Sequence, residues 1–80
     1  MTRNEILEQV QSIFKDVLKN DDVVLTDDTT AQDVNGWDSL THVEIISEME
    51  KHFGLRFSLK EMLSWRNVGK MLDTLEKKLG

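Results

Sequence analysis

One side chain in this sequence has the type and the position to take part in covalent chemistry. It is the hydroxyl of Ser39, which lies within the segment Gly36–Leu40 (GWDSL). The segment follows a long polar stretch and precedes an amphipathic run, so the serine is predicted at the start of a helix. Because the chain has no cysteine, it has no thiol nucleophile and no cysteine zinc cluster. Covalent chemistry is therefore predicted at Ser39, unless Asp38 and Ser39 serve only to cap the helix.

The other polar residues do not form a catalytic or metal-binding set. His42 and His52 have neither a cysteine nor a third imidazole with them, and two histidines alone do not make a metal site. The pairs Asp21–Asp22 and Asp27–Asp28 lack the alternating spacing of a calcium loop. We therefore predict no metal site and, apart from the Ser39 hydroxyl, no side chain placed for catalysis.

Length and composition predict a single domain, residues 1–80, since a chain of 80 residues supports only one modest hydrophobic core. The formal net charge of −5 argues against binding to the phosphate backbone of nucleic acids. The segment Met1–Glu8 lacks the apolar core of a signal peptide, and the longest apolar run is only Val23–Leu25. We expect a cytoplasmic monomer that binds no nucleic acid and does not insert into membranes.

The first element that must support the serine is an amphipathic helix. Thr2 and Glu5 fit a capping box at its start, and Asn20 with the following aspartates ends it. Its apolar stripe has helical spacing and comprises Ile6, Leu7, Val10, Ile13, Phe14, Val17 and Leu18. The segment from Asn20 to Trp37 has no sustained periodicity and predicts a long ordered loop. Five apolar residues could pin this loop to the core: Val23, Val24, Leu25, Ala31 and Val34.

A second helix is predicted from Ser39 to Phe53, with Asp38 as its N-cap and Gly54 as its stop. Its inner face comprises Ile45, Ile46, Met49 and Phe53. Leu40 projects from nearly the opposite side and Val43 from the flank. They share the outer surface with four polar residues, which are Glu44, Ser47, Glu48 and Lys51. Such a mixed surface suits a transient protein partner, although Leu40 and Val43 could instead cover the preceding loop.

Two shorter patterns complete the chain. Ser58 and Glu61 form a second capping box that opens a brief helix through Leu63. Asn67 caps a final helix, which Gly69 weakens slightly in its first turn; its stripe comprises Val68, Met71, Leu72, Leu75 and Leu79. With no strand alternation and no repeat, the predicted fold is all-α, a small bundle of three main helices plus one short helix.

This arrangement resembles the acyl carrier protein family from Ile6 through Leu79. The resemblance rests on the capped first helix, the long loop, Asp-Ser-Leu opening the second helix, the short third helix and the amphipathic fourth. It implies that Ser39 receives a 4′-phosphopantetheine arm from coenzyme A and that acyl cargo rides on the arm as a thioester. We expect the phosphodiester to meet free N–H groups and the positive dipole end of the helix. The modifying transferase would supply the base and the metal, with Asp38 helping to hold the metal. The resemblance thus implies a carrier that has no catalytic residue and is not itself an enzyme.

The same resemblance makes the second helix the recognition helix. The predicted contacts are Asp38, Leu40, Val43, Glu44, Ser47 and Glu48, with Phe57 just before the third helix. Implied partners are a phosphopantetheinyl transferase, an acyl-activating ligase or acyltransferase, and ketosynthase-type or other transferase enzymes. The competing hypothesis is a non-carrier helical adaptor that docks through Leu40 and Val43, with Ser39 acting only as a cap.

The cargo is open between fatty acid, polyketide and other specialised acyl metabolism. Lys51, Arg56 and Lys60 interrupt the acidic surface that is typical of fatty acid carriers. A tryptophan before Asp-Ser-Leu, here Trp37, is more similar to the pattern of D-alanyl carriers and stand-alone carriers of specialised pathways. A D-alanyl or aminoacyl carrier is therefore the alternative, whereas the chain lacks the Gly-Gly-x-Ser motif of peptide synthetase carriers. The positions similar to the family's acyl pocket are His42, Met49, Phe57, Met62, Trp65 and Met71. Their bulk predicts a small cavity and short or polar cargo, unless they are ordinary core filling.

Overall fold

The computed structural model describes residues 1–80 as four α-helices and one 3₁₀ turn. The helices are α1 (Arg3–Leu18), α2 (Ser39–Phe53), α3 (Leu59–Leu63) and α4 (Val68–Leu79). The 3₁₀ turn, Ala31–Asp33, lies in the long loop between α1 and α2 and was not predicted. The predicted all-α bundle of three main helices and one short helix is confirmed. No helix is both long enough and apolar enough to cross a membrane.

The helix boundaries follow the local sequence. At α1, Thr2 Oγ1 accepts from the Glu5 N–H at 3.2 Å and Glu5 Oε1 accepts from the Thr2 N–H at 2.8 Å, so the predicted capping box is confirmed. The helix ends at Leu18, and Lys19 takes the left-handed conformation with φ 52°. Asn20 takes part in ending the helix, as predicted, because its N–H donates to Lys15 O at 3.1 Å, while its Oδ1 accepts from the Asp22 N–H at 2.9 Å in the next turn.

The hydrophobic core lies where α1 packs against α2 and α4. It contains 14 buried apolar residues, drawn from every helix except α3, from the long loop and from the link before α3. The members are Ile6, Val10, Ile13, Phe14, Val23, Leu25, Val34, Ile45, Met49, Phe57, Val68, Met71, Leu72 and Leu75. The predicted stripes of α1, α2 and α4 supply most of this list, which is what amphipathic helices around one core require.

The long loop is ordered by contacts with the core and with α1. Val23, Leu25 and Val34 are buried, as predicted, and the Leu25 N–H donates to Gln11 Oε1 of α1 at 2.8 Å. Val24 is 72% exposed and Ala31 is also exposed, so neither of these two predicted contacts forms. The loop is therefore pinned at three of the five predicted points.

The same loop meets the beginning of α4 through backbone hydrogen bonds. The Gly69 N–H donates to Asp27 O at 2.8 Å, and the Val68 N–H donates to Thr29 O at 2.9 Å. These two loop carbonyls satisfy N–H groups that a helix start otherwise leaves unpaired. A Cβ on Gly69 would lie 2.8 Å from Asp27 O, so only glycine permits this approach. Gly69 thus serves the packing of the loop, which the sequence interpretation of a weakened helix did not anticipate.

Arg3 connects three parts of the chain at this junction. Its guanidinium donates to Asp73 at 2.8 Å, to Glu76, and to the backbone oxygen of Gly69 at 3.1 Å, and it lies 3.4 Å from Asp27. The start of α1, the loop and α4 are therefore held together by one cation on the outside of the core.

Candidate functional site

The turn before Ser39 is fixed by Thr41, which lies in the first turn of α2. Thr41 Oγ1 donates to Gly36 O at 2.6 Å and accepts from the Asp38 N–H at 2.8 Å. Gly36 has φ 87°, a left-handed conformation that strongly favours glycine. These contacts set the direction in which the chain enters α2 and hence the position of Ser39.

Asp38 alone caps α2. Its Oδ1 accepts from the Leu40 N–H at 2.9 Å and from the Thr41 N–H at 3.0 Å, as the predicted N-cap requires. The hydrogen bond from Thr41, followed by that from Leu40, lowers the pKa of the Asp38 carboxyl below its ordinary value. Two of the N–H groups that were expected to be free for a phosphodiester are thus already occupied, which corrects that expectation.

The Ser39 hydroxyl is exposed and takes no part in capping. It is the first residue of α2, yet its Oγ forms no hydrogen bond, while the Asp38 carboxylate meets the cap requirement by itself. The interpretation of Ser39 as only a helix cap is therefore wrong. Asp38 Oδ2 likewise has no hydrogen-bond partner, so one carboxylate oxygen next to Ser39 is free to bind a cation.

A cleft of about 290 Å³ opens beside Ser39. The loop and α2 line one part of it with Ala31, Trp37, Asp38, Ser39 and His42, and the chain around the start of α4 lines the other with Trp65, Arg66, Asn67 and Met71. Three of the six predicted pocket residues therefore line this cleft, namely His42, Trp65 and Met71. The other three do not, because Met49 and Phe57 are buried in the core and Met62 packs against it.

Aromatic rings wall the cleft and are held by hydrogen bonds. Trp37 Nε1 donates to His42 Nδ1 at 2.9 Å, and Trp65 Nε1 donates to Thr74 Oγ1 at 2.9 Å. The ring centroids of Trp37 and His42 are 5.8 Å apart, and those of His42 and Trp65 are 6.4 Å apart with the rings edge to face. Both indole N–H groups are satisfied, so the walls have defined positions.

The protonation of His42 should couple to stability. Because Nδ1 accepts from Trp37, the neutral ring carries its hydrogen on Nε2, and burial lowers the pKa of His42. The unfolded chain takes up this proton near pH ~6.5 and the folded chain only at lower pH. The free energy of unfolding is therefore expected to fall as the pH drops below about 6.5, by at most about 1.4 kcal/mol per pH unit.

Urea unfolding of the wild type and of His42→Gln measures this dependence. His42→Gln should flatten the slope between about pH 5 and pH 7, where most carboxylates stay ionised. An undiminished slope in His42→Gln would contradict the assignment.

The outer surface of α2 projects as predicted. Leu40 is 77% exposed and Val43 is 65% exposed, so the alternative in which they cover the preceding loop is wrong. The predicted contacts of the flank line a groove of about 520 Å³ together with three residues of α1. The groove comprises Val43, Glu44, Ser47 and Glu48 from α2 and Ile13, Asp16 and Val17 from α1.

Phe57 does not belong to this outer surface. It is 8% exposed, its ring packs edge to face on Trp65 with centroids 4.8 Å apart, and its N–H donates to Glu50 Oε2 at 2.9 Å. The prediction of Phe57 as a partner contact is corrected, because a link between two helices can turn its apolar side chain inward. The exposed apolar residues nearby are Leu59 and Leu63 of α3, at 68% and 76%.

The sequence interpretation missed Arg66 in the cleft and Asp16 with Val17 in the groove. Arg66 precedes the Asn67 cap and gives no periodic signal. Asp16 and Val17 belong to a predicted helix, but the pairing of α1 with α2 along this groove depends on tertiary packing that periodicity does not specify.

Known proteins match this arrangement over nearly the whole chain. A family model described as the phosphopantetheine attachment site matches residues 8–75. The chain belongs to the acyl carrier protein family. A solution NMR structure of holo acyl carrier protein from Geobacter metallireducens superimposes with a TM-score of 0.86 and is 40% identical in sequence. The match covers 91% of this chain and 84% of the chain in that structure.

Curated relatives agree with the family. Acyl carrier proteins of Thermotoga maritima and Thermosynechococcus vestitus are 32% and 35% identical, each covering 99% of this chain and 98% of the relative. Polyketide-8 synthase acyl carrier protein 2 of Streptomyces avermitilis is 33% identical over 91% of this chain and 84% of its own.

Family membership confirms the predicted function as an acyl carrier rather than an enzyme, with a 4′-phosphopantetheine prosthetic group, and favours it over the adaptor. The protein therefore interacts with synthase and transferase enzymes. The residues fit the group, since an exposed and unbonded serine hydroxyl begins α2 and a cleft opens beside it. The arm supplies the thiol that forms a thioester with the cargo, which this cysteine-free chain does not have in its own side chains.

Proposed function

We propose that Ser39 carries the 4′-phosphopantetheine arm and that Asp38 helps to hold the metal of the transferase that attaches it. The observation that carries this proposal is the Ser39 Oγ, which is exposed, free of hydrogen bonds and placed at the start of α2 within the family match. A free hydroxyl can enter a transferase site without breaking any contact of the fold. Asp38 keeps Oδ2 available for a cation while Oδ1 holds the helix cap.

The attachment site can be tested against the other hydroxyls. The chain has five serines, and Ser58 and Ser64 use theirs in hydrogen bonds at the ends of α3. The purified protein is incubated with coenzyme A and a promiscuous phosphopantetheinyl transferase, and the intact mass is measured. One arm-sized addition that tandem mass spectrometry maps to Ser39 supports the proposal. No addition would favour the adaptor, and an arm on another serine would contradict the assignment.

The cleft supports a short acyl cargo. Its volume is about 290 Å³, and its walls are two indoles and an imidazole held by hydrogen bonds and edge-to-face packing. Widening it for a long saturated chain would require these rings to move out of well-packed positions. We infer short acyl groups of a specialised pathway rather than long fatty acyl chains. A D-alanyl or aminoacyl cargo is the second candidate, because a cleft of this size and a tryptophan at position 37 suit it equally.

A series of loaded carriers tests this inference. Acetyl, butyryl, octanoyl and hexadecanoyl forms are prepared, and amide chemical shifts are compared by NMR. The short forms should perturb only residues around the cleft, and the longest form should add no shifts at the core residues Met49 and Ile45. Chain-length-dependent shifts at these two core positions would contradict the inference.

Partner enzymes are proposed to dock on the outer surface of α2 and in the groove that it shares with α1. Three carboxylates of the groove, Asp16, Glu44 and Glu48, surround apolar surface of Val43 and Val17. This surface fits a partner segment with basic residues around an apolar side chain. The partners expected here are the phosphopantetheinyl transferase, an acyl-activating ligase or acyltransferase, and a ketosynthase-type or other transferase.

Reversing one groove charge should slow these encounters. For Glu44→Lys we expect kcat/KM of the transferase for this carrier to fall about threefold to tenfold at low salt, because a like charge then faces the basic segment. The difference should shrink as salt is added, since exposed charges are screened. The matched control is Asp28→Lys, an equal charge change on the exposed loop outside the groove. Equal loss in both variants would point to net charge rather than to the groove.

A further inference from the structure

The first turn of α2 has few unpaired N–H groups with which to stabilise a phosphodiester on Ser39. The Leu40 and Thr41 N–H groups donate to Asp38 Oδ1, and the His42 N–H donates to Asp38 O at 2.8 Å. A phosphodiester on Ser39 would therefore find three of the donors at the start of α2 occupied, with only the N–H of Ser39 itself free, and an ionised carboxylate on the neighbouring residue. The Asp38 carboxylate and a phosphodiester on the adjacent Ser39 are both negative and repel each other. A cation close to Ser39 would offset this repulsion.

Arg66 is the single cationic side chain among the residues that line the cleft with Ser39. It is exposed and forms neither an ion pair nor a hydrogen bond. The contrast with Arg3 is informative, because Arg3 is engaged by Asp27, Asp73 and Glu76. The guanidinium of Arg66 thus has all of its N–H groups free, and a guanidinium can bind two phosphate oxygens at once.

The neighbours of Arg66 hold its backbone at the edge of the cleft. Trp65 Nε1 donates to Thr74 Oγ1 at 2.9 Å, and Asn67 Oδ1 accepts from the Lys70 N–H at 2.9 Å. The two residues that flank Arg66 are therefore both tied to α4, while its own side chain is free. This combination fixes the origin of the side chain and leaves its charged end free to reach an anion at Ser39.

We propose that Arg66 binds the phosphodiester that joins the arm to Ser39, so that this guanidinium neutralises the anion in place of the Leu40 and Thr41 N–H groups, which Asp38 already occupies. The proposal rests on the attachment at Ser39 proposed above. It makes Arg66 a positioning residue, which directs the root of the arm over the aromatic cleft between Trp37 and Trp65. Arms of the unloaded and loaded carrier would then start from one preferred direction.

NMR on the apo and holo forms of the full chain tests the proposal, with intact mass reporting the loading of each sample. The Nε–Hε resonance of Arg66 should shift between apo and holo and move back as salt is added, because salt screens an exposed ion pair. The matched reference is Arg56, a second arginine without an ion pair that lies outside the cleft; its resonance should not move.

Two variants give an independent readout on the phosphorus atom. In holo Arg66→Gln the ³¹P resonance of the phosphodiester should shift from its wild-type position, whereas holo Arg56→Gln should leave it in place. If the arm loads while the Arg66 resonance does not move and the ³¹P signal of Arg66→Gln is unaltered, that result would overturn the role of Arg66 and leave the attachment at Ser39 standing. Absence of the arm from Ser39 would overturn both this proposal and the attachment on which it rests.

Discussion

Ser39→Ala is expected to accept no arm at all while keeping the wild-type fold. The loss should be complete because the other four serines do not combine an exposed, unbonded hydroxyl with the start of α2 and its cleft. The free energy of unfolding should change by less than about 0.5 kcal/mol, since the hydroxyl makes no hydrogen bond that the variant would lose. Intact mass after the transferase reaction and urea unfolding measure the two quantities on the same samples.

Ser58→Ala is the matched control and should show the opposite pattern. Ser58 Oγ accepts from the Glu61 N–H at 3.1 Å and caps α3, so its loss should lower the free energy of unfolding by about 0.5 to 2 kcal/mol. The arm should still be attached in this variant. Destabilisation of Ser39→Ala to the same extent as Ser58→Ala would show that Ser39 caps α2 after all. An arm on Ser39→Ala would move the attachment site elsewhere.

Local sequence was sufficient to predict every α-helix and most of their ends. The capping boxes at Thr2 and Ser58 and the stop at Gly54 each depend on contacts within a few residues, so they can be predicted from spacing alone. The outward direction of Leu40 and Val43 followed from the helical period for the same reason. These features decided where Ser39 lies and what surrounds it on α2.

The choice between Asp38 and Ser39 as the cap could not be made from the sequence. Both residue types cap helices, and they are adjacent. The structure decides for Asp38 because Gly36 turns the chain and Thr41 holds the turn through its hydroxyl. Which of two competent side chains faces the free N–H groups depends on this backbone direction, and that direction depends on several contacts acting together.

Tertiary contacts also determine which side chains of the loop and of the links between helices are buried. Val23 and Val24 are adjacent and equally apolar, yet only Val23 is buried, since an extended chain turns successive side chains to opposite sides. Phe57 faces inward because Trp65 and Glu50 offer it a ring contact and a carboxylate. Glu50 lies in α2 and Trp65 beyond α3, so the spacing within a single element could not reveal the contact.

The cleft at Ser39 and the groove between α1 and α2 share no lining residue. Substitutions in the groove should therefore alter the binding of partner enzymes without altering the surroundings of the arm. Substitutions at His42 or Arg66 should alter the surroundings of the arm without altering the binding of partner enzymes. If the proposed roles of groove and cleft hold, the carrier would present one docking surface to its partners while the cleft contacts the loaded cargo. Both surfaces depend on α2, whose start holds Ser39 and whose outer flank holds Val43.

The position of the loop on α4 should make Gly69→Ala destabilising. Alanine in a helix is normally favoured over glycine by about 0.5 to 1 kcal/mol, so propensity alone predicts a more stable variant. The added Cβ would, however, lie 2.8 Å from Asp27 O, a backbone atom that also accepts the Gly69 N–H. Relieving that contact requires the loop to move away from α4 and weakens the hydrogen bond. We expect the free energy of unfolding to fall by about 1 to 3 kcal/mol, which is typical of overpacking in a close-packed region.

Lys70→Ala provides the control for helix propensity, because Lys70 is exposed on the next position of α4 and alanine there should change the free energy of unfolding by less than about 0.5 kcal/mol. Urea unfolding measures both variants, and amide exchange at Gly69 reports on the hydrogen bond to Asp27. A Gly69→Ala variant more stable than the wild type would mean that propensity outweighs the loop contact. Loss of amide protection at position 69 with unchanged protection at Leu75 would instead locate the damage at the junction of the loop with α4, which is the result that the close approach predicts.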